Sequence, residues 1–173
     1  ADMMASVERC LLKILKAAGA KHTISFGGKA VTVKKKFPRI GFNEVLKRYA
    51  LILDYERESR DSLAARARQF GVDPDPHESK AKIADEVYKK ICRPHLVNPT
   101  FVLHHPIEIS PLAKRTSAGA TTVRRFQLII GGLEIVNAFS EINDPREQRE
   151  RFGEQQNMRS GGDEESHPLD EDF

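Results

Sequence analysis

The sequence predicts an α+β fold in which an antiparallel sheet is interrupted by a block of helices. Apolar residues recur at helical spacing in three consecutive segments between residues 43 and 91, where strand-like runs are almost absent. Strand-like runs return from residue 100 to residue 142. Because helices and strands are segregated along the chain and do not alternate, an α+β architecture is favoured over a parallel βαβ one.

The N-terminal part predicts one helix followed by one hairpin. Apolar residues at helical spacing run from Met4 to Ala18, and Gly19 stands where such a helix should end. Two β-rich runs follow at 22–26 and 30–33, separated by Gly27-Gly28-Lys29. A glycine-rich step of this length between two strands is typical of a tight hairpin.

The middle of the chain predicts three helices in succession. Helical spacing covers 43–53, 60–70 and 79–91. Gly71 ends the second of these segments, and the proline-rich turn at 73–76 separates it from the third. We therefore expect a helical insertion between two parts of one sheet.

The C-terminal part predicts the remaining strands and one more helix. Strand character appears at 100–104 and at 125–130, and Gly131-Gly132 makes a turn into a third strand at 133–142. Asp144 can cap a helix that starts at Pro145, with Glu147 three residues beyond the cap. A helix start of this kind can attract phosphates or carboxylates, or it can be an ordinary capped surface helix.

Composition and cysteine count exclude several classes of protein. Hydrophobic residues make up 39% and charged residues 31%, and mean hydropathy is −0.49. No apolar run approaches the roughly 18 residues of a spanning helix, and the N-terminus does not resemble a secretory signal. Cys10 and Cys92 lie far apart, which favours two buried, reduced thiols over a disulfide framework or a zinc site. We expect a cytoplasmic protein with no membrane contact.

The charge distribution leaves nucleic-acid binding open. The formal net charge of +3 is too weak to establish it. Lys34-Lys35-Lys36 with Arg39 forms either a solvated loop or a phosphate-contacting patch, whereas 163–165 and 170–172 make the C-terminus acidic.

Three side chains at two-residue spacing form the candidate site. Asn137, Phe139 and Glu141 would share one face of a strand, because successive side chains alternate between faces. An amide, an aromatic ring and a carboxylate together suit a small ligand with an ammonium group and an apolar stem. The same pattern is also that of an ordinary amphipathic strand with Phe139 in the core.

Several motifs, taken in order, resemble the class II lysyl-tRNA synthetases. They are Pro99-Thr100-Phe101, the run from His105 to Lys114, the run from Glu134 to Asp144, Gln148-Arg149, Arg151-Phe152, 162–165 and 170–173. The resemblance implies a partial class II catalytic domain. On this basis 1–41 would follow the second class II motif, 42–95 would be the helical insertion, and 96–173 would precede the third motif.

The resemblance also implies a reaction and a set of roles. The full enzyme would activate lysine with ATP and transfer it to its tRNA, as a homodimer. Glu141 would accept the lysine ε-ammonium, Phe139 would pack near the substrate, and Asn137 would hold polar atoms of lysine or of the adenylate. Glu134 would bind Mg²⁺ close to the ATP phosphates, in keeping with the preference of Mg²⁺ for oxygen ligands.

Three positions depart from the family pattern. Gln127 stands where the family usually has a second metal-binding glutamate, so Mg²⁺ affinity should fall. Arg124 occupies a place that is commonly acidic. His104 replaces the residue often found before His105-Pro106, and because neighbours on a strand point to opposite faces, we expect one histidine to be buried and one exposed.

The second and third class II motifs and the anticodon-binding barrel are expected outside residues 1–173, so we expect the isolated chain to be inactive. Two alternatives stay open. One is a truncated paralogue that attaches a lysine derivative to a translation factor. The other is a non-catalytic lysine-binding module, which Gln127 and Arg124 would favour.

Overall fold

The computed structural model describes residues 2–20 and 22–160. The expected acidic C-terminus and the last matching motifs lie outside these residues. Among the described residues, no helix has the length and apolar content needed to cross a membrane. The helices and strands, in chain order, are α1 Asp2–Ala17, β1 Thr23–Phe26, β2 Lys29–Thr32, β3 Arg39–Gly41, α2 Phe42–Ala50, α3 Arg60–Gln69, α4 Lys80–Val87, β4 Thr100–Leu103, β5 Arg125–Ile130, β6 Leu133–Phe139 and α5 Pro145–Ser160.

The main sheet has four strands in the order β3-β4-β5-β6. Strands β4, β5 and β6 pair antiparallel, which confirms the predicted C-terminal part. Strand β3 pairs parallel to β4, with Ile40 opposite Val102, and the sequence did not predict it. A three-residue strand carries too little alternation to be recognised, and its partner lies about 60 residues away along the chain. The predicted β1–β2 hairpin forms a separate two-stranded sheet.

The two faces of the main sheet carry different cores. On one face, which we call the helical face, Val102 and Ile129 pack against α2, α3 and α4. On the other face, Phe101, Phe126 and Leu128 pack with residues of α1 and of the hairpin. Cys92 is buried in the core of the helical face, but Cys10 is exposed on α1, so the expectation of a buried thiol is wrong for Cys10. The alternation of side chains along β4 and β5 assigns neighbouring residues to opposite faces. Gln127, between Phe126 and Leu128, therefore points to the helical face.

Serine side chains cap the first turns of α3 and α4. The Ser59 side chain accepts a hydrogen bond from the Ser62 N–H at the start of α3, and Ser79 accepts one from the Lys82 N–H at the start of α4. The third predicted helix changes character at its end, because a π turn at Tyr88–Cys92 follows α4. A π turn alters the direction in which side chains leave the helix axis, and such turns are frequent at functional sites.

Candidate functional site

Strands β5 and β6 bring the predicted residues together on the helical face. Asn137 pairs with Gln127 across the two strands, and Phe139 pairs with Arg125. Directly opposite residues of an antiparallel pair project from the same face. The order of the sheet leaves β6 without a neighbour on its other side among the described residues. This edge position leaves Phe139 42% exposed.

Arg125 holds the Asn137 amide in place. Its Nε donates to Asn137 Oδ1 over 3.0 Å, while its Nη1 donates to the Ile109 carbonyl over 3.1 Å and to Ser110 Oγ over 2.9 Å. Arg125 was not among the predicted site residues. The sequence could have indicated it, because Arg125 lies two residues before Gln127 on the same strand and therefore on the same face.

A shallow cavity of about 180 Å³ opens beside this pair. Its volume is below the roughly 300 Å³ at which pockets begin to hold drug-sized molecules, so it suits a smaller ligand. Its polar groups come from Arg125, Asn137 and Ser110, and its apolar wall includes the Phe139 ring. The residues that line it are Ile109, Ser110, Pro111, Leu112, Ala113, Arg125, Asn137 and Phe139.

Glu141 lies just beyond the end of β6. Its main chain forms a bridge with Ala113, which lines the cavity, and the flanking Ile142 N–H donates to the Leu112 carbonyl. The Glu141 side chain is exposed and makes no hydrogen bond or ion pair with any residue that the structure describes. The structure thus places Asn137 and Phe139 at the cavity, whereas Glu141 adjoins the cavity wall through its main chain and is not among the lining residues.

Glu134 belongs to a second polar cluster on the same face. Its Oε2 accepts a hydrogen bond from Gln127 Nε2 over 2.5 Å, and Gln127 Oε1 accepts one from the Tyr88 hydroxyl over 2.9 Å. The register between β5 and β6 shifts at Leu128/Ile129, so that Glu134 stands opposite Ile129 and Ile135 is the extra residue of a bulge. The bulge allows Glu134 to reach Gln127.

The donor set around Glu134 fits Mg²⁺ only if a substrate supplies further oxygens. Within residues 2–20 and 22–160, no group of three or more histidine, cysteine, aspartate or glutamate side chains could hold a metal ion. The Gln127 oxygen already accepts from Tyr88. Mg²⁺ is commonly bound by one or two carboxylates together with substrate phosphates, and Glu134 can provide one carboxylate of that kind.

The two neighbouring histidines have different environments, as expected from the sequence. His105 is 1% exposed and packs against the rings of Phe42 and Tyr88. Burial lowers the pKa of His105 to about 3, so its ring is neutral at physiological pH. His104 is exposed. The two side chains do not separate by the predicted alternation along a strand. His104 lies past the end of β4 and has a left-handed φ of 58°.

The start of α5 confirms the predicted cap but changes the role of Glu147. Asp144 Oδ1 accepts from the Arg146 N–H over 2.9 Å. Glu147 does not close a capping box; its carboxylate accepts from Arg115 Nε over 2.9 Å and from Arg151. The hydrogen bond from Arg151, with further help from Arg115, lowers the pKa of Glu147. Arg151 also donates to the Pro111 and Ala113 carbonyls. These hydrogen bonds join α5 to the segment that lines the cavity.

Comparison with known proteins places the whole chain in one family. The model of the class II tRNA synthetases (D, K and N) matches residues 1–173. The lysine–tRNA ligase of Moorella thermoacetica is 37% identical over 172 residues, which is 99% of this chain and 35% of that protein. The lysine–tRNA ligase of Thermotoga maritima is 38% identical over 172 residues, which is 99% of this chain and 34% of that protein.

A lysine–tRNA ligase of Dehalococcoides mccartyi gives the same result, with 36% identity over 173 residues. The chain spans about 35% of the length of the relatives it matches. Its α+β architecture agrees with part of a class II synthetase domain. Since the family model covers every residue, the chain belongs to the class II tRNA synthetases (D, K and N) and resembles lysine–tRNA ligases over its entire length.

Proposed function

We propose that this chain forms the amino-acid-binding part of a lysine–tRNA ligase. The observation that carries the proposal is the cavity beside β6, where the Asn137 amide is held by Arg125 and the Phe139 ring forms the apolar wall. The matched relatives, which are lysine–tRNA ligases, support lysine as the ligand. The complete enzyme would use ATP to activate lysine and would then transfer it to tRNA.

Each side chain has a physical role in this proposal. The Phe139 ring packs against the methylenes of lysine, because burying each methylene contributes roughly 0.8 kcal/mol. The exposed Glu141 carboxylate, which has no partner among the described residues, pairs with the ε-ammonium group. Asn137 orients polar atoms of lysine or of the adenylate through the amide N–H groups, since its oxygen already accepts from Arg125.

Glu134 is the proposed contact to Mg²⁺ on the ATP phosphates. A bound Mg²⁺ would neutralise phosphate charge during activation. Glu134 would contribute one carboxylate, and Gln127, which is 4% exposed, would hold that carboxylate in place. We further propose that the complete enzyme is a cytoplasmic homodimer and that residues 1–173 alone do not carry out the ligase reaction.

A second candidate function rests on the chemistry at Gln127. A neutral amide, with both its oxygen and its nitrogen engaged in hydrogen bonds, takes a place where the family resemblance implies an acid. This favours a module that binds lysine and has weak ATP and Mg²⁺ binding. Titration with ATP plus Mg²⁺ tests this second candidate, because tight, Mg²⁺-dependent binding to this chain would exclude the non-catalytic module.

Calorimetric titration with lysine tests the role of Glu141. We expect Glu141→Gln to weaken lysine binding by at least tenfold, because the amide removes the negative charge that faces the ammonium group. Norleucine, which has the stem of lysine without the ammonium group, should bind wild type and Glu141→Gln equally.

The matched control is Glu150→Gln, which neutralises an exposed glutamate on α5 away from the cavity and should leave lysine binding unchanged. Equal lysine affinities for wild type and Glu141→Gln would contradict the proposed pairing. A common loss in both variants would point to net charge as the cause.

A further inference from the structure

A hydrogen-bonded relay joins the helices of the insertion to the carboxylate of Glu134. The Tyr88 hydroxyl donates to Gln127 Oε1 over 2.9 Å, and Gln127 Nε2 donates to Glu134 Oε2 over 2.5 Å. Tyr88 has no exposed surface and Gln127 is 4% exposed, so bulk water does not compete for the bond between them. The relay runs from the core to a side chain at the edge of the sheet.

The relay allows only one orientation of its central amide. Because the Tyr88 hydroxyl donates to the amide oxygen, the Gln127 NH₂ group must point away from Tyr88 and toward Glu134. Burial raises the pKa of the Tyr88 hydroxyl above its ordinary value, so it keeps its proton throughout the physiological range. A reversed amide would bring its oxygen against the Glu134 carboxylate and would leave the hydroxyl without an acceptor.

Two irregularities of the backbone meet at the relay. The π turn begins at Tyr88, at the end of α4. The bulge in β6 brings Glu134 opposite Ile129 and within reach of Gln127. Bulges and π turns both redirect side chains, and both are frequent beside functional sites. Regular continuation of either element would change the direction of one end of the relay.

We propose that Tyr88 is a positioning residue, which acts through Gln127 to hold the Glu134 carboxylate with Oε2 engaged and Oε1 available to a divalent cation. The Oε1 atom makes no hydrogen bond with any residue that the structure describes. This inference rests on the proposed metal-binding role of Glu134. Partners that orient a ligating carboxylate from outside the metal site typically change metal affinity by about 10- to 100-fold when removed.

The test compares Tyr88→Phe with wild type in the 173-residue chain. The first measurement is the NMR signal of the Gln127 side-chain NH₂, assigned by its loss in Gln127→Leu. The second is the affinity of the chain for Mn²⁺ as its complex with ATP, followed by paramagnetic resonance, because the site needs phosphate oxygens beside Glu134. We expect Tyr88→Phe to shift the Gln127 NH₂ signal, because the amide loses the bond that fixes its orientation, and to weaken Mn²⁺ binding about tenfold.

Tyr55→Phe is the matched control. Tyr55 is also a buried tyrosine of the helical core, and its ring contacts Phe42 as the Tyr88 ring does. Among the described residues, the hydroxyl that donates to Gln127 belongs to Tyr88 and not to Tyr55, so the Tyr55 variant should change neither measurement. A second comparison uses Gln127→Leu as the background, where adding Tyr88→Phe should lower Mn²⁺ affinity no further.

An unchanged Gln127 NH₂ signal in Tyr88→Phe would overturn the relay. An equal fall of Mn²⁺ affinity in Tyr55→Phe, or a full further fall in the Gln127→Leu background, would show that Tyr88 acts through general stability. If wild type takes up no Mn²⁺–ATP while Tyr88→Phe still shifts the Gln127 signal, the bond from Tyr88 to Gln127 stands and the proposed metal role of Glu134 is wrong.

Discussion

At the scale of single residues, arginine side chains make more of the contacts that hold the candidate site than acidic side chains do. Arg125 donates to Asn137 and to two groups of the segment 109–110, and Arg151 donates to two carbonyls of the segment 111–113. A guanidinium carries five N–H groups in a fixed fork, so one side chain can join several loops at once. Both arginines thereby fix the segment that forms the cavity wall.

Glu147 provides a test of this arrangement through pH. Its pKa is lowered in the folded protein, mainly by the hydrogen bond from Arg151, so the folded state favours the ionised form. Its stabilising contribution is complete above the unfolded pKa of about 4.3 and is lost as pH falls through the lowered folded pKa. We expect Glu147→Gln to lower the free energy of unfolding at pH 7 by about 1–3 kcal/mol.

Urea unfolding between pH 7 and pH 3 measures this effect. The difference between wild type and Glu147→Gln should be constant at neutral pH and should shrink once the pH falls below about 4.3. Glu150→Gln serves as the control, since Glu150 is exposed on the same helix. A difference that persists undiminished at pH 3 would mean that the Glu147 charge is not what stabilises the wild type.

The turn between β5 and β6 requires a glycine at position 131. Gly131 has a φ of +63°, and a Cβ at this position would lie 2.7 Å from the Phe26 ring. Any other residue at this position would therefore have a strained backbone, and its Cβ would clash with the Phe26 ring. We expect Gly131→Ala to destabilise the fold by about 1–3 kcal/mol in thermal or urea unfolding. Gly153→Ala is the control, because a Cβ there meets no atom within 4 Å and α5 favours alanine.

At the scale of elements, the sequence predicted the existence of helices and strands better than their ends. The predicted helix at 43–53 ends at Ala50, because Leu51 adopts a left-handed φ of 56°. The predicted strand at 133–142 ends at Phe139, after which the chain pairs with the segment 112–114 through isolated contacts. Ends of this kind depend on tertiary partners that local spacing does not encode.

The cap of α4 gives a prediction at this scale. The Ser79 side chain accepts from the Lys82 N–H, one of the first N–H groups of the helix that have no partner within it. We expect Ser79→Ala to lower the free energy of unfolding by about 1 kcal/mol, measured by urea denaturation. Ser25→Ala, at an exposed position of β1, should change it by less than about 0.5 kcal/mol. Equal effects would remove capping as the explanation.

At the scale of the whole molecule, the helical insertion and the sheet share one core. The residues of α2, α3 and α4 pack with Val102 and Ile129 of the sheet. Sequence spacing predicted each helix face as apolar, but not that these faces would cover β4 and β5. It also did not predict the relay from Tyr88 to Glu134, because the two residues are 46 positions apart and only the fold brings them together.

Phe42 tests whether this shared core unfolds as one unit. It begins α2 directly after β3, has no exposed surface, and contacts the rings of Tyr55, Tyr88 and His105. Phe42→Ala should lower the free energy of unfolding by about 3–5 kcal/mol, through lost burial and the cavity left behind. Leu53→Ala is the control, since Leu53 is 69% exposed and its truncation should have little effect.

The expected result is a single transition at a lower midpoint, because the helices and the sheet lose the same packing partner. Circular dichroism follows the helices, and the chemical shift of Gln127 on β5 follows the sheet. If the two signals change at the same urea concentration in wild type and in Phe42→Ala, the insertion and the sheet fold together. Loss of helix signal while the Gln127 signal stays native would instead identify the insertion as a separate folding unit, and the site on β6 would then not depend on it for stability.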